Sequence, residues 1–239
     1  LEAVKSVLDQ RSITLELIVV DDASTDDSLD ILETLDDPRM TVARLPEQRG
    51  AAAARNEALA LARAPWISLF DADDVMLPDR LAPYFRWALA QPNCFRAYCA
   101  LELTDRALQP LGRQSRNPFD LFKMLQRNIL NQAMSLVKAE ALRQAGGYDP
   151  SLRVCEDYDL WLRLLEFGTP RFYNQVCMLY RQHDSNLGRV TISNEAVFQR
   201  LNERLQLRAD DPLREARREQ MRRARQFLEA SDRKDWPEV

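Results

Sequence analysis

Asp71 and Asp73 stand two residues apart, directly after the apolar run Trp66 to Phe70. In extended backbone, side chains two apart point the same way, so both carboxylates can face one hard cation. Mn²⁺ or Mg²⁺ is the cofactor this spacing suits. Both ions take oxygen ligands, and either could bridge a carboxylate to a diphosphate and offset the charge that builds as the diphosphate leaves. Taken alone, the Asp-Ala-Asp triplet reads equally well as a solvated loop in which Asp74 caps a helix. Asp22, Arg55, the Glu156-Asp157 pair and His183, the single histidine, are the other residues whose types could bind or transfer. A carboxylate can accept the imide N–H of a base, and an arginine can bind an acceptor or stack on a flat ring.

The elements that must carry these residues follow from periodicity. Leu15 to Val20 predicts a buried strand ending at Asp21 and Asp22. Ser24 is expected to cap a helix, with Asp27 three residues on as a carboxylate variant of the capping box and an apolar face of Leu29, Leu32 and Leu35. A strand over Met40 to Leu45, a helix from Ala51 to Ala64 behind Gly50, and a strand from Trp66 to Phe70 continue the alternation. Such alternation predicts an α/β fold, a mostly parallel sheet flanked by helices, with ligand groups at the carboxyl ends of the strands. Asp21, Asp22, Asp71 and Asp73 fall there. Further along we expect a helix over Asp79 to Ala90 with Pro78 in its first turn, and a strand over Phe95 to Leu103. A loop from Arg106 to Pro118 precedes a helix over Phe119 to Arg143, broken by Gly146-Gly147, and a last helix runs over Glu156 to Phe167. Residues 1–190 read as one compact unit and 191–239 as a charged helical extension.

Composition narrows the function classes. The chain has 239 residues, 46% of them apolar and 29% charged, with a net charge of −4, which excludes the broad basic surface that nucleic-acid binding needs. No uncharged apolar run reaches the roughly 18 residues of a membrane span. Cys94, Cys99, Cys155 and Cys177 have neither paired nor framework spacing and predict reduced thiols, most of them buried. The first residues lack the basic start and apolar core of a signal peptide, so a cytoplasmic setting is expected.

As an ordered set, the segments around these residues resemble the family 2 glycosyltransferases. Ile18-Val-Val-Asp-Asp-Ala-Ser-Thr-Asp26 is similar to that family's first nucleotide motif, Gly50-Ala-Ala-Ala-Ala-Arg-Asn56 to its Arg-Asn helix, and Ile67-Ser-Leu-Phe-Asp-Ala-Asp-Asp74 to its metal motif. Gly146-Gly-Tyr-Asp149 and Glu156-Asp-Tyr-Asp-Leu-Trp-Leu-Arg163 resemble the acceptor and catalytic segment, and Tyr180-Arg-Gln-His-Asp-Ser-Asn186 the late motif. The resemblance implies a Rossmann-like GT-A fold over residues 1–190 and an inverting transfer of sugar from a nucleotide-diphospho-sugar, with UDP as the expected nucleotide. It implies Asp22 at the base with Arg55 flanking it, Asp71 and Asp73 at ribose, diphosphate and metal, and His183 near the same metal. Asp157 would be the general base, with Glu156 on the acceptor side; Trp161 could stack against an acceptor sugar, whereas its helical spacing after Asp157 favours the core. The implied partners are the nucleotide-sugar donor and a saccharide or lipid-linked acceptor.

Family members begin with a central strand that has no counterpart in this sequence, so we expect roughly 20 or more residues upstream to supply it. The arginine-rich stretch from Pro212 would touch an anionic membrane at the inner face of the envelope if its arginines lay on one side, whereas its interspersed glutamates favour a solvated helix with i,i+4 pairs. The rival enzyme reading is a haloacid dehalogenase-like phosphatase with Asp71 as nucleophile and Asp73 as acid/base; the rival non-enzymatic reading is a nucleotide-sugar-binding module without turnover.

Overall fold

The strand Leu17–Asp21 (β1) pairs in parallel with Met40–Arg44 (β2), so the first strand-helix-strand unit forms as its apolar runs predict. The computed structural model describes residues 1–114, 119–126, 128–130, 132–133, 135–183, 199, 201–203, 206 and 212–232. The opening helix Glu2–Leu8 (α1) precedes β1, and Ser28–Glu33 (α2) links β1 to β2. The helix thus starts later than Ser24. Asp21 explains this: its carboxylate accepts the Ser24 N–H, which closes a turn there and leaves Asp27 at the helix start without a side-chain cap bond.

Ala51–Leu61 (α3) leads into Trp66–Leu69 (β3), the short Val75–Met76 (β4) and Leu81–Ala90 (α4). Next come Arg96–Thr104 (β5), Pro110–Gln114 (β6), Leu121–Gln126 (α5), Ser135–Lys138 (β7), Ala139–Gln144 (α6), Glu156–Leu164 (α7) with a 3₁₀ turn at Leu165–Phe167, and Arg171–Arg181 (β8). A six-stranded sheet runs in the order β3-β7-β5-β8-β4, with β6 added to β5. Within the expected α/β class the pairing is mixed. β5 and β8 are parallel, while β3–β7, β5–β7, β4–β8 and β5–β6 are antiparallel, because the chain reverses through the short connections around β6 and β7.

Two further expectations are corrected. The predicted helix over Phe119 to Arg143 contains a strand, β7, because Ser135-Leu-Val-Lys supplies the register opposite Trp66 to Leu69 that β3 needs to bury its own backbone groups. The predicted loop from Arg106 to Pro118 holds β6 as far as Gln114; residues 115–118 lie outside those described.

β5 divides the core. Ala97, Cys99 and Leu101 face one way with Tyr84, Met76 and Met178, while Tyr98 faces the other with Val137, Leu142, Tyr158 and Trp161, as a period of two requires of a strand covered on both sides. Each fully buried leucine or aromatic in these layers contributes roughly 1.5–3 kcal/mol. Cys94, Cys99 and Cys177 are buried free thiols and Cys155 is half-buried.

The arginine-rich helix Pro212–Asp232 (α8) is docked on the domain. Met221 and Ala224 enter the second core layer, and Arg218, itself buried, pairs with Glu166 at 3.3 Å. Glu219 pairs with Arg222 and Arg223, and Glu215 with Arg222, so the expected intrahelical pairing is present and these arginines are engaged within the protein. Among the described residues no helix is long and apolar enough to cross a membrane.

Candidate active site

Three motif segments meet at Arg55. From the middle of α3 its guanidinium donates to Glu156 Oε1 at 2.7 Å and to Asp71 Oδ1 at 3.0 Å, bridging the start of α7 to the end of β3. The Gln132 side chain satisfies its surroundings with its oxygen toward Arg55, accepting from Nε and Nη2 at 2.6 Å, and its nitrogen toward the Tyr148 hydroxyl at 3.2 Å. The Tyr148 ring lies 5.5 Å from the same guanidinium. Burial works against the Arg55 charge, but Asp71, Tyr148 and Glu156 together outweigh it and hold the group above the ordinary arginine value. Arg55 is therefore a fixed cation between two carboxylates.

The next residue ties the same helix to the loop before α7. Asn56 Nδ2 donates to the Tyr148 carbonyl at 2.7 Å, and Asn56 Oδ1 accepts the Tyr148 N–H at 2.8 Å. Gly146 and Gly147 make this approach: both have positive φ, and their N–H groups close α6 onto the Arg143 and Leu142 carbonyls in a Schellman arrangement. A Cβ on Gly147 would stand 2.6 Å from Asn56 Oδ1. With the backbone left-handed at this point, a larger residue would be strained and would push Asn56 aside.

Asp157 sits in the first turn of α7, behind Cys155, whose left-handed backbone (φ 60°) turns the chain into the helix. Its Oδ2 accepts from Asn128 Nδ2 at 2.9 Å and its Oδ1 from the Tyr158 N–H at 2.7 Å. Burial, reinforced by the neighbouring Glu156, lifts its pKa to about 6 against the lowering effect of those hydrogen bonds and Arg55. A carboxyl in that range is ionised at neutral pH and a better proton acceptor than an ordinary aspartate.

Asp73 faces His183, with Oδ2 and Nε2 2.9 Å apart. Topology brings them together: β4 runs antiparallel to β8, with Val75 opposite Leu179, so the residues before β4 lie beside those after β8. Arg181 secures the junction, donating through Nε to the Asp73 carbonyl and through its N–H to Asp74 Oδ1. Asp74 is buried, and burial together with Asp71 and Asp73 raises it to about 8. Asp73, Asp74, Arg106, Gln182 and His183 line an open cavity of about 780 Å³.

Among the described residues no three His, Cys, Asp or Glu side chains converge into a closed metal cage. Asp73 offers Mg²⁺ or Mn²⁺ a carboxylate of the kind that commonly holds these ions together with substrate phosphates, and His183 beside it would add an imidazole nitrogen, a softer donor that suits Mn²⁺ better than Mg²⁺. Asp71 is the poorer ligand of the two aspartates, because Oδ1 is taken by Arg55.

Asp22 caps the turn before α3, accepting the Arg49 and Gly50 N–H groups at 2.7 and 2.8 Å. Glu156 is the partner of Arg55. Trp161 is corrected: it is fully buried, with the Arg96 guanidinium 3.5 Å from its ring centre, so it cannot stack on an acceptor. Residues 184–190, including the end of the late motif, lie outside those described. Sequence reasoning missed Asn128 and Gln132, which lie near no motif, and gave Asn56 and Tyr148 no role of their own although both stand inside quoted motifs.

The family profile described as Glycosyl transferase family 2 matches residues 1–144. Succinoglycan biosynthesis protein ExoU of Rhizobium meliloti (strain 1021) is 34% identical over 170 residues, 64% of this chain and 49% of that protein, so the chain spans about half the length of that relative. Among solved structures, S. aureus TarS 1–349 in complex with UDP superposes with a TM-score of 0.68 at 19% identity, covering 95% of this chain and 66% of that one. The mannosyltransferase PcManGT from Pyrobaculum calidifontis, in complex with GDP-Man and Mn²⁺, gives 0.63 at 19% identity, covering 99% and 72%. The chain belongs to glycosyl transferase family 2, and the phosphatase reading of Asp71 is set aside by that membership.

Proposed function

We propose that this protein transfers a sugar from a nucleotide-diphospho-sugar, with UDP as the first nucleotide to test, to an acceptor hydroxyl on a growing polysaccharide, at the cytoplasmic side. The observation that carries the mechanism is Asp157, a half-buried carboxyl with a pKa of about 6, adjoining the Arg55 bridge to Asp71. The acceptor oxygen attacks the anomeric carbon from the face opposite the diphosphate, the proton passes to Asp157, and the carbon–oxygen bond to the diphosphate breaks with its electron pair on the leaving group. Configuration inverts. Asn128 and the Tyr158 N–H orient the carboxyl, so proton transfer needs no search of rotamers.

Donor binding falls to the other side of Arg55. Asp22 would take a base N–H with the lone pairs its backbone bonds leave, and Asp71 the ribose. Asp73 and His183 would hold Mn²⁺ or Mg²⁺, which supplies charge stabilisation for the departing diphosphate. The relatives support this reading: TarS was solved with UDP, PcManGT with GDP-Man and Mn²⁺, and ExoU is named for succinoglycan biosynthesis.

The test is a hydrolysis and transfer screen of UDP-sugars and GDP-mannose with and without Mn²⁺, with Asp157→Asn and Asp73→Ala beside the wild type. One donor should be turned over in a metal-dependent way, Asp157→Asn should lose turnover but keep UDP binding, and Asp73→Ala should lose the metal dependence of UDP binding. UDP binding with no turnover of any donor would favour the binding-module reading; retained turnover in Asp157→Asn would remove the base.

A further inference from the structure

We propose that Arg96 is a positioning residue for the transfer: an interior cation that fixes the helix carrying Asp157 by stacking on Trp161 and helps keep that carboxyl ionised. The inference rests on the reading of Asp157 as base.

The geometry is specific. Arg96 opens β5 and is 1% exposed. Its guanidinium lies 3.5 Å from the centre of the Trp161 ring, and Nη2 donates to Ser135 Oγ at 2.9 Å. Ser135 opens β7, which is bonded to β5 through Arg96 opposite Val137. One end of the guanidinium is thus tied to the sheet while its face supports α7. Trp161 follows Asp157 by four residues, one turn on the same helix face.

Filling that space does not require a charge. Removing a guanidinium from water costs several kcal/mol, which an apolar side chain of similar volume would avoid. Burial pushes Arg96 down to about 9, so it stays cationic at neutral pH, and the Asp157 charge is among the groups that oppose the fall. The charged and titratable groups facing Asp157 are Glu156 and Cys155 on its own segment, Arg55 from α3, Tyr148 from the preceding loop and Arg96 from β5. Glu156 works against ionisation. Arg55 favours it but divides its charge between Asp71 and Glu156, and Arg96 supplies a second cation from β5.

The test measures the Asp157 transition without any donor. The melting temperatures of wild type and Asp157→Asn are compared from pH 4 to pH 8 in three backgrounds: Arg96, Arg96→Gln and Arg96→Lys. The pH at which the two curves separate reports the Asp157 pKa. We expect Arg96→Gln to raise that pH by about half to one unit and Arg96→Lys to restore it, even where both lower the melting temperature. The acidic limb of kcat should move by the same amount, with KM unchanged. A uniform fall in melting temperature with the transition unmoved would make Arg96 a packing residue and overturn the proposal. If Arg96→Gln does not fold, Arg96→Met, which buries no amide, takes its place in the same comparison: a transition displaced upward supports the electrostatic role, and an unmoved one overturns it. Should Asp157→Asn still transfer sugar, the base reading fails by a separate measurement from the one that tests the coupling.

Discussion

Asp157→Asn should make the protein more stable as it makes it inactive, and the gain should depend on pH. Asp157 rises from an ordinary 3.8 to about 6 in the folded chain, which corresponds to ~3 kcal/mol of disfavoured ionisation. The sign follows from the direction. A carboxyl raised on folding loses stability for the protein as pH climbs from the unfolded value through the folded one, so the wild type pays this cost between about pH 4 and pH 6 and carries it in full above pH 7. An asparagine carries no such cost. It does set its own amide against that of Asn128, which now donates to Asp157 Oδ2 while its Oδ1 accepts the Leu130 N–H, so one of those bonds must be given up at ~1 kcal/mol. The net gain at pH 8 is ~1–2 kcal/mol, or about 2–8 °C for a domain of this size. At pH 4 the difference should vanish or reverse. Thermal melts of both proteins at five pH values, with donor turnover measured on the same samples, give the answer. A difference that stays flat from pH 4 to pH 8 would refute the claim that burial has raised this carboxyl.

Gly147→Ala should lower stability by ~2–4 kcal/mol, since the left-handed backbone and the 2.6 Å approach to Asn56 Oδ1 act together; urea melts would show it as a lower midpoint. Arg218→Met should cost ~3 kcal/mol by taking away the buried partner of Glu166, and limited proteolysis should then cut within α8 before the rest of the domain. His183→Ala should raise the Mn²⁺ concentration needed for half-maximal UDP binding by at least about tenfold, read by calorimetry, while metal-free UDP binding stays as it was.

The parts of the molecule that could be read from sequence are those whose partners are close in the chain or whose pattern is self-contained. Leu17 to Asp21 and Trp66 to Leu69 are apolar runs flanked by acids, and they fold as such. β7 stayed hidden because Leu136 and Val137 suit a helix face as well as a strand; what decides is the β3 edge, nearly 70 residues earlier. β8 gave no signal because Asn174 and Gln175 interrupt its alternation at the point where its register with β5 slips. At the site, Arg55, Asp71, Asp73, Glu156 and Asp157 were visible because they recur in ordered motifs. Asn128, Gln132 and Arg96 were not, since each acts across the fold on a group that no local spacing reveals. Trp161 was misread for a related reason: its ring faces a cation from a strand that sequence periodicity treats as ordinary core.

The paired bonds between Asn56 and the Tyr148 backbone have a consequence for how this sequence can vary through descent. A side chain larger than hydrogen at position 147 needs a shorter one at 56, and shortening Asn56 forfeits both bonds that align the loop before Asp157. A change at either position therefore loosens the same loop. The asparagine and the glycine are expected to be inherited together.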